Sequence, residues 1–165
     1  MSTANSKLLQ EIKGIPAEMD ALVILVKTEW NSSIVDELEN GCVRLLKSYG
    51  VQHQTLLVPG AVEIAFAIQQ YWANSILPKA FIALGCVVKG DTPHFDYVCR
   101  AVTDGNTGLN LLLPVPVIFG VLTVNTNEQA LERIGGKHGH KGEEAALTAI
   151  KMIALNRQLK ELGGA

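Results

Sequence analysis

Two hydrophobic periods alternate along the chain. Residues 21–27 (ALVILVK) and 81–88 (FIALGCVV) are unbroken apolar runs, the pattern of strands buried on both faces of a parallel sheet. Residues 51–58 and 115–123 read as two further strands. Between the first two strands, Ile34, Val35, Leu38, Cys42, Leu45, Leu46 and Tyr49 recur every three to four residues, which predicts a helix capped by Asn31 and Ser32 and stopped by Gly50. Pro59-Gly60 opens a second helix carrying Val62, Ile64, Phe66, Ile68 and Trp72. A third spans about 95–113, with Gly105 and Gly108 predicting a bend or a close backbone contact and Pro114 ending it. A short helix follows at 128–134, then the segment GGKHGHKG as a connection, then a final helix over about 143–162.

Strands alternating with helices predict an α/β fold, with a four-stranded parallel sheet between two helical layers and right-handed crossovers. Residues 1–20 read as an N-terminal arm, with an extra edge strand near Ile15 as an option, and 21–165 as a single domain.

Composition narrows the function. The 165 residues are 48% hydrophobic and 18% charged, with 14 Lys and Arg against 16 Asp and Glu, a formal net charge of −2. No basic footprint marks a nucleic-acid binder. No apolar run approaches the roughly 20 residues of a membrane helix, and the first twenty residues hold no export signal. Cys42, Cys86 and Cys99 are odd in number and widely spaced, so they read as buried thiols of a reducing compartment. The expectation is a cytoplasmic globular domain.

Open α/β sheets bind ligands beyond the carboxyl ends of their strands. Here those ends carry Thr28-Glu29-Trp30-Asn31, Pro59 to Glu63, Lys89-Gly90-Asp91-Thr92-Pro93-His94 and Thr123 to Asn127. An aromatic, a glycine-opened helix start, a glycine/hydroxyl loop suited to an anion and a histidine would thus share one rim. Arg133, Lys137 and Lys141 add cations near the last loop, read either as a solvated connection or as an anion clamp. No G-x-x-x-x-G-K-[ST], no G-x-G-x-x-G after the first strand and no G-x-S-x-G occurs, which disfavours P-loop, dinucleotide and serine-hydrolase chemistry. His138-x-His140 lacks partner ligands for a metal.

The motifs EWN, VPGAVEIAFA, ALGCVVKGDTPHFDYV and PVIFGVLTVNTNEQALERIGGKHGHKGEEAALTAI together resemble the 6,7-dimethyl-8-ribityllumazine synthase family over about residues 22–155. The resemblance implies a flavodoxin-like fold. It also implies condensation of 5-amino-6-(D-ribitylamino)uracil with 3,4-dihydroxy-2-butanone 4-phosphate, with no cofactor. Carried over by motif position, Trp30 stacks on the pyrimidine. Gly60, Ala61, Val62, Glu63 and Ile64 hold the ribityl chain, with Asn31 supporting that loop. Val87, Val88 and Lys89 line the ring site, and Asp91 and Thr92 bind phosphate with Arg133 as clamp. His94 shuttles protons with Glu144 as its carboxylate partner, and Phe119 and Lys137 complete the site from a neighbouring subunit.

The resemblance further implies a homopentamer. The uninterrupted GGKHGHKG connection favours an icosahedral shell of pentamers, although His140 stands where the family usually has asparagine. Riboflavin synthase is a candidate partner. A flavin- or lumazine-binding scaffold and an FMN-dependent electron carrier are the alternative readings.

Overall fold

A computed structural model describes residues 19–163. Four strands, β1 (Leu22–Thr28), β2 (Gln52–Val58), β3 (Ala80–Val88) and β4 (Val117–Val124), form one parallel sheet in the order β2-β1-β3-β4. The helices are α1 (Ser32–Ser48), α2 (Ile64–Asn74), α3 (His94–Leu112), α4 (Asn127–Leu131) and α5 (Lys141–Gly163). This is the α/β architecture expected from the hydrophobic pattern, with the flavodoxin-like layering that the resemblance implied. The expected strand near Ile15 lies outside the described residues.

Alternation along each strand sends its apolar residues to two cores. Val23, Leu25, Ile82, Leu84, Ile118 and Leu122 pack beneath α1 and α5. Ile24, Val26, Phe81, Ala83, Val117 and Val121 pack beneath α2 and α3. Tyr71 and Trp72 of α2 meet the Phe81 ring edge-on, at centroid distances of 5.8 and 6.4 Å. Edge strand β2 is buried only at Val58, which explains its mixed sequence QHQTLLV.

Local chemistry sets the boundaries. Gly50 takes a left-handed φ of 66° just past α1, and the Val51 N–H returns to the Leu46 carbonyl at 3.0 Å, so glycine stops the helix as expected. Strand β4 begins at 117 instead of 115: Pro116 has no N–H, and the Asn110 carboxamide accepts from the Val117 N–H (2.9 Å) and donates to its carbonyl (2.7 Å). In α3, Gly105 supplies the expected close contact, because a Cβ there would lie 3.0 Å from the Ala65 methyl, whereas Gly108 faces open space. Cys99 is half-buried, so only Cys42 and Cys86 are the buried thiols expected.

The segment expected as a plain connection is folded. Ile134–Gly136 (β5) and Gly139–His140 (β6) pair antiparallel, with Gly135 and Gly139 at φ of 112° and 76°. Because the hairpin ends at His140, α5 starts at Lys141, two residues earlier than its periodicity suggests.

Candidate functional site

A cleft of about 680 Å³ opens where β1, β2 and β3 end. It sits at the point where the chain order reverses across β1, with β2 on one side and β3 on the other, the place where such sheets bind ligands. Its walls come from three loops. The β1–α1 loop brings Trp30 and Asn31, the β2–α2 loop brings Pro59 to Glu63, and the β3–α3 loop brings Gly90, Thr92 and His94. Val87 and Val88 form the floor.

Trp30 is 73% exposed and lines the cleft. Gly60 has an extended backbone, so its lack of a side chain serves space: a Cβ would lie 2.9 Å from Glu63 Oε2. Residues 61–63 form a 3₁₀ turn ahead of α2, with no side chain capping its start. His94 is the first residue of α3, one position earlier than the periodicity suggests, and its N–H points to Thr92 Oγ1 at 3.4 Å. The threonine hydroxyl and the positive end of a 19-residue helix therefore meet an imidazole at one corner.

Within a single chain, several of the expected site residues stand away from the cleft or hold other partners. Asn31 does not cap α1 with its side chain and does not brace the Gly60 loop; it sits at φ 57°, ψ 39° and donates from Nδ2 to the Cys86 carbonyl at 2.7 Å. The Ile64 side chain is only 4% exposed and belongs to the core under α2. Lys89 and Asp91 lie on the β3–α3 loop but do not line the cleft. Glu144 is held by Lys141 (2.7 and 2.8 Å) and not by His94. Arg133 turns back on α4, donating to the Gln129 carbonyl at 2.6 Å. Phe119, on edge strand β4, and Lys137, in the hairpin, both lie outside the cleft lining and are exposed.

The cleft also includes Thr28, Pro59 and Gly90 of the strand-end loops, and Cys86, Phe95 and Val98, to which motif reading gave no role. Val98 follows His94 by one helical turn, a spacing that places both on one face of α3. Burial pushes the Cys86 thiol up to about 11, so it lines the cleft as a neutral group and not as a nucleophile. Among the described residues, no three His, Cys, Asp or Glu side chains gather as a metal site, and no helix is long and apolar enough to cross a membrane.

Fold and cleft together define a flavodoxin-like protein with an open cleft at the carboxyl ends of its strands and no G-x-G-x-x-G loop after β1. The 6,7-dimethyl-8-ribityllumazine synthase family model matches residues 20–157, and the chain belongs to that family. It is 50% identical over 132 residues to the 6,7-dimethyl-8-ribityllumazine synthase of Bacteroides fragilis, covering 78% of this chain and 92% of the relative. It is 46% identical over 161 residues to that of Porphyromonas gingivalis, covering 95% and 99%.

Proposed function

We propose that this chain works in the cytoplasm and condenses 5-amino-6-(D-ribitylamino)uracil with 3,4-dihydroxy-2-butanone 4-phosphate to 6,7-dimethyl-8-ribityllumazine, releasing phosphate and water. The observation that carries the reading is the convergence of Trp30, the Gly60–Glu63 turn and the Thr92–His94 corner on one cleft of ligand size.

In this reading the pyrimidine lies under Trp30, where aromatic stacking adds about 0.5–1.5 kcal/mol beyond area burial. The ribityl hydroxyls meet the backbone of residues 60–63 and the Glu63 carboxylate. The phosphate sits against the loop of Asp91 and Thr92 at the α3 N-terminus. The amine attacks the ketone and loses water to give an imine, phosphate leaves by elimination, the enol tautomerises, and the ribityl-bearing nitrogen closes the ring with loss of a second water. Each step moves a proton, and His94 is placed between the ring and phosphate regions to carry it. Holding both reactants in one cleft supplies much of the remaining rate. Mixing the protein with both compounds and following lumazine absorbance tests this; riboflavin binding without lumazine formation would overturn it in favour of a passive scaffold.

The neighbouring copy completes the site. Phe119, Arg133 and Lys137 are carried on β4, the residues after α4 and the hairpin, and none lines the cleft of its own chain. A second copy presenting them across the open cleft supplies the clamp and the far wall, which supports a pentamer with shared sites, pentamers assembling into an icosahedral shell. Riboflavin synthase, which consumes the product, is the partner this reading implies. Light scattering that finds only single chains at working concentration would exclude the shared site. Co-expressed His94→Ala and Arg133→Ala chains should regain about a quarter of parental activity, since a head-to-tail ring pairs intact halves at some interfaces. No recovery would place both residues in one chain's site.

A further inference from the structure

Trp30 makes its functional contact with an indole that is mostly exposed, so something else must fix where the ring sits. Its backbone is tied on three sides. The Trp30 N–H donates to the Pro59 carbonyl at 3.3 Å, binding it to the loop after β2. The next residue, Asn31, reaches the Cys86 carbonyl of β3 at 2.7 Å. The Trp30 carbonyl accepts from Thr28 Oγ1 at 3.2 Å, binding it to the end of β1. Asn31 has the one left-handed non-glycine backbone among the described residues, a conformation asparagine tolerates better than most. That reversal turns the chain into α1 immediately after the indole.

Thr28 is the unusual member of this set. It is 1% exposed, the one buried polar side chain among the described residues, in a strand otherwise apolar but for Lys27. Its methyl is fixed as well: a Cβ built on Gly85 would lie 3.3 Å from Thr28 Cγ2. A valine would fill the same space with more apolar surface, so core packing alone does not call for a hydroxyl here. The only acceptor that the hydroxyl serves is the carbonyl of the residue carrying the lid.

We infer that Thr28 is a positioning residue for the ring-binding half of the site: its hydroxyl, anchored in the sheet through its methyl, fixes the Trp30 backbone so that the indole is held over the cleft before the pyrimidine arrives. This rests on the reading of Trp30 as the stacking lid. Preorganisation of this kind strengthens ring binding without touching the reacting atoms.

The test uses Thr28→Val, which keeps the branched shape and deletes the hydroxyl, and Thr28→Ser, which keeps the hydroxyl. Both are made in a Trp72→Phe background, so that Trp30 is the only tryptophan of the chain's two left to report. Thr28→Val should lower Trp30 fluorescence anisotropy and raise KM for the ribitylaminouracil about three- to tenfold, the usual worth of one hydrogen bond. Turnover and KM for the butanone phosphate should stay within about twofold. Thr28→Ser should restore both anisotropy and KM. Parental anisotropy and KM in Thr28→Val would overturn the inference, as would failure of Thr28→Ser to restore them, which would assign the loss to packing. Asn31→Gly, which relieves the left-handed backbone but removes the tie to Cys86, should raise the same KM. A drop in anisotropy in a protein whose parent forms no lumazine would uphold the tether and sink the activity assignment instead.

Discussion

The two helical faces of the sheet are built on the same four strands and finish differently. On one face, α1 buries Ile34, Val35, Leu38, Gly41, Cys42 and Leu46, and α5 buries Gly142, Ala145, Ala146, Leu147, Ala149, Ile150 and Ile153. The helices touch at Gly142, where a Cβ would run into the Leu38 carbonyl oxygen, and Gly41 of α1 leaves room for the His140 ring of the hairpin. On the other face, α2 buries only Ile64 and Ile68, α3 only Val102 and Leu109, while Phe66, Tyr97, Leu111 and Leu112 stay exposed. Exposed apolar side chains in such number mark an association surface. The first face is the more closely packed between its helices, and that packing serves stability, although Met152, Leu155, Leu159 and Leu162 towards the end of α5 are exposed. The second buries less of its two helices and lies beside the cleft.

That division predicts where substitutions will be felt. The largest effect should come from the cleft: His94→Ala should lower turnover by about 10²–10⁴-fold, the usual range for a lost acid–base group, with the urea unfolding midpoint unchanged. Unchanged turnover would remove the histidine from the chemistry. Gly142→Ala should do the reverse, costing about 3 kcal/mol of stability in urea titrations, because backbone and not a yielding side chain blocks the new methyl. A parental unfolding midpoint would mean the first face has slack.

A smaller effect concerns pH. Both ring nitrogens of His140 are buried without a hydrogen-bond partner. Burial holds its pKa below the ordinary value of 6.5, with Arg44 also lowering it and Glu143 and Glu37 acting against that. The folded chain therefore binds fewer protons than the unfolded one, so this contribution is whole above about pH 6.5 and is lost as pH falls towards the folded value. His140→Asn should flatten the stability profile between about pH 7 and 5; an unaltered slope would show that other groups set it. Smallest of all, Gly108→Ala on the second face meets nothing within 4 Å and should stabilise the dissociated chain by up to about 1 kcal/mol. Loss of assembly in the same variant would place a partner against α3.

Sheet, layers and most boundaries were legible because burial on two faces writes itself as continuous apolar strands, as in ALVILVK and FIALGCVV. The cleft loops were legible because a parallel sheet gathers its carboxyl ends at one rim. What escaped had no periodic signal. The β5–β6 hairpin is specified by two left-handed glycines within a short polar segment that also suits a coil. The pairing of Glu144 with Lys141, three residues away, follows from α5 starting early enough to include Lys141. The Asn31 bond to Cys86 crosses 55 positions, and no local pattern encodes which strand end an asparagine will find.

The parallel arrangement gives the molecule two poles. In the four-stranded sheet, each passage from a strand to the next helix lies at the pole that carries the cleft, and the returns from α1 to β2, from α2 to β3 across the stretch between Asn74 and Ala80, and from α3 to β4 lie at the far end. The described chain also enters and leaves there, with Arg157 of α5 bonded to the Asp20 carbonyl and Asn156 to that of Pro114. A circular permutant opened between Asn74 and Ala80, its old ends joined by a linker, would therefore rewire the covalent order of the protein while leaving the ligand-binding pole uncut.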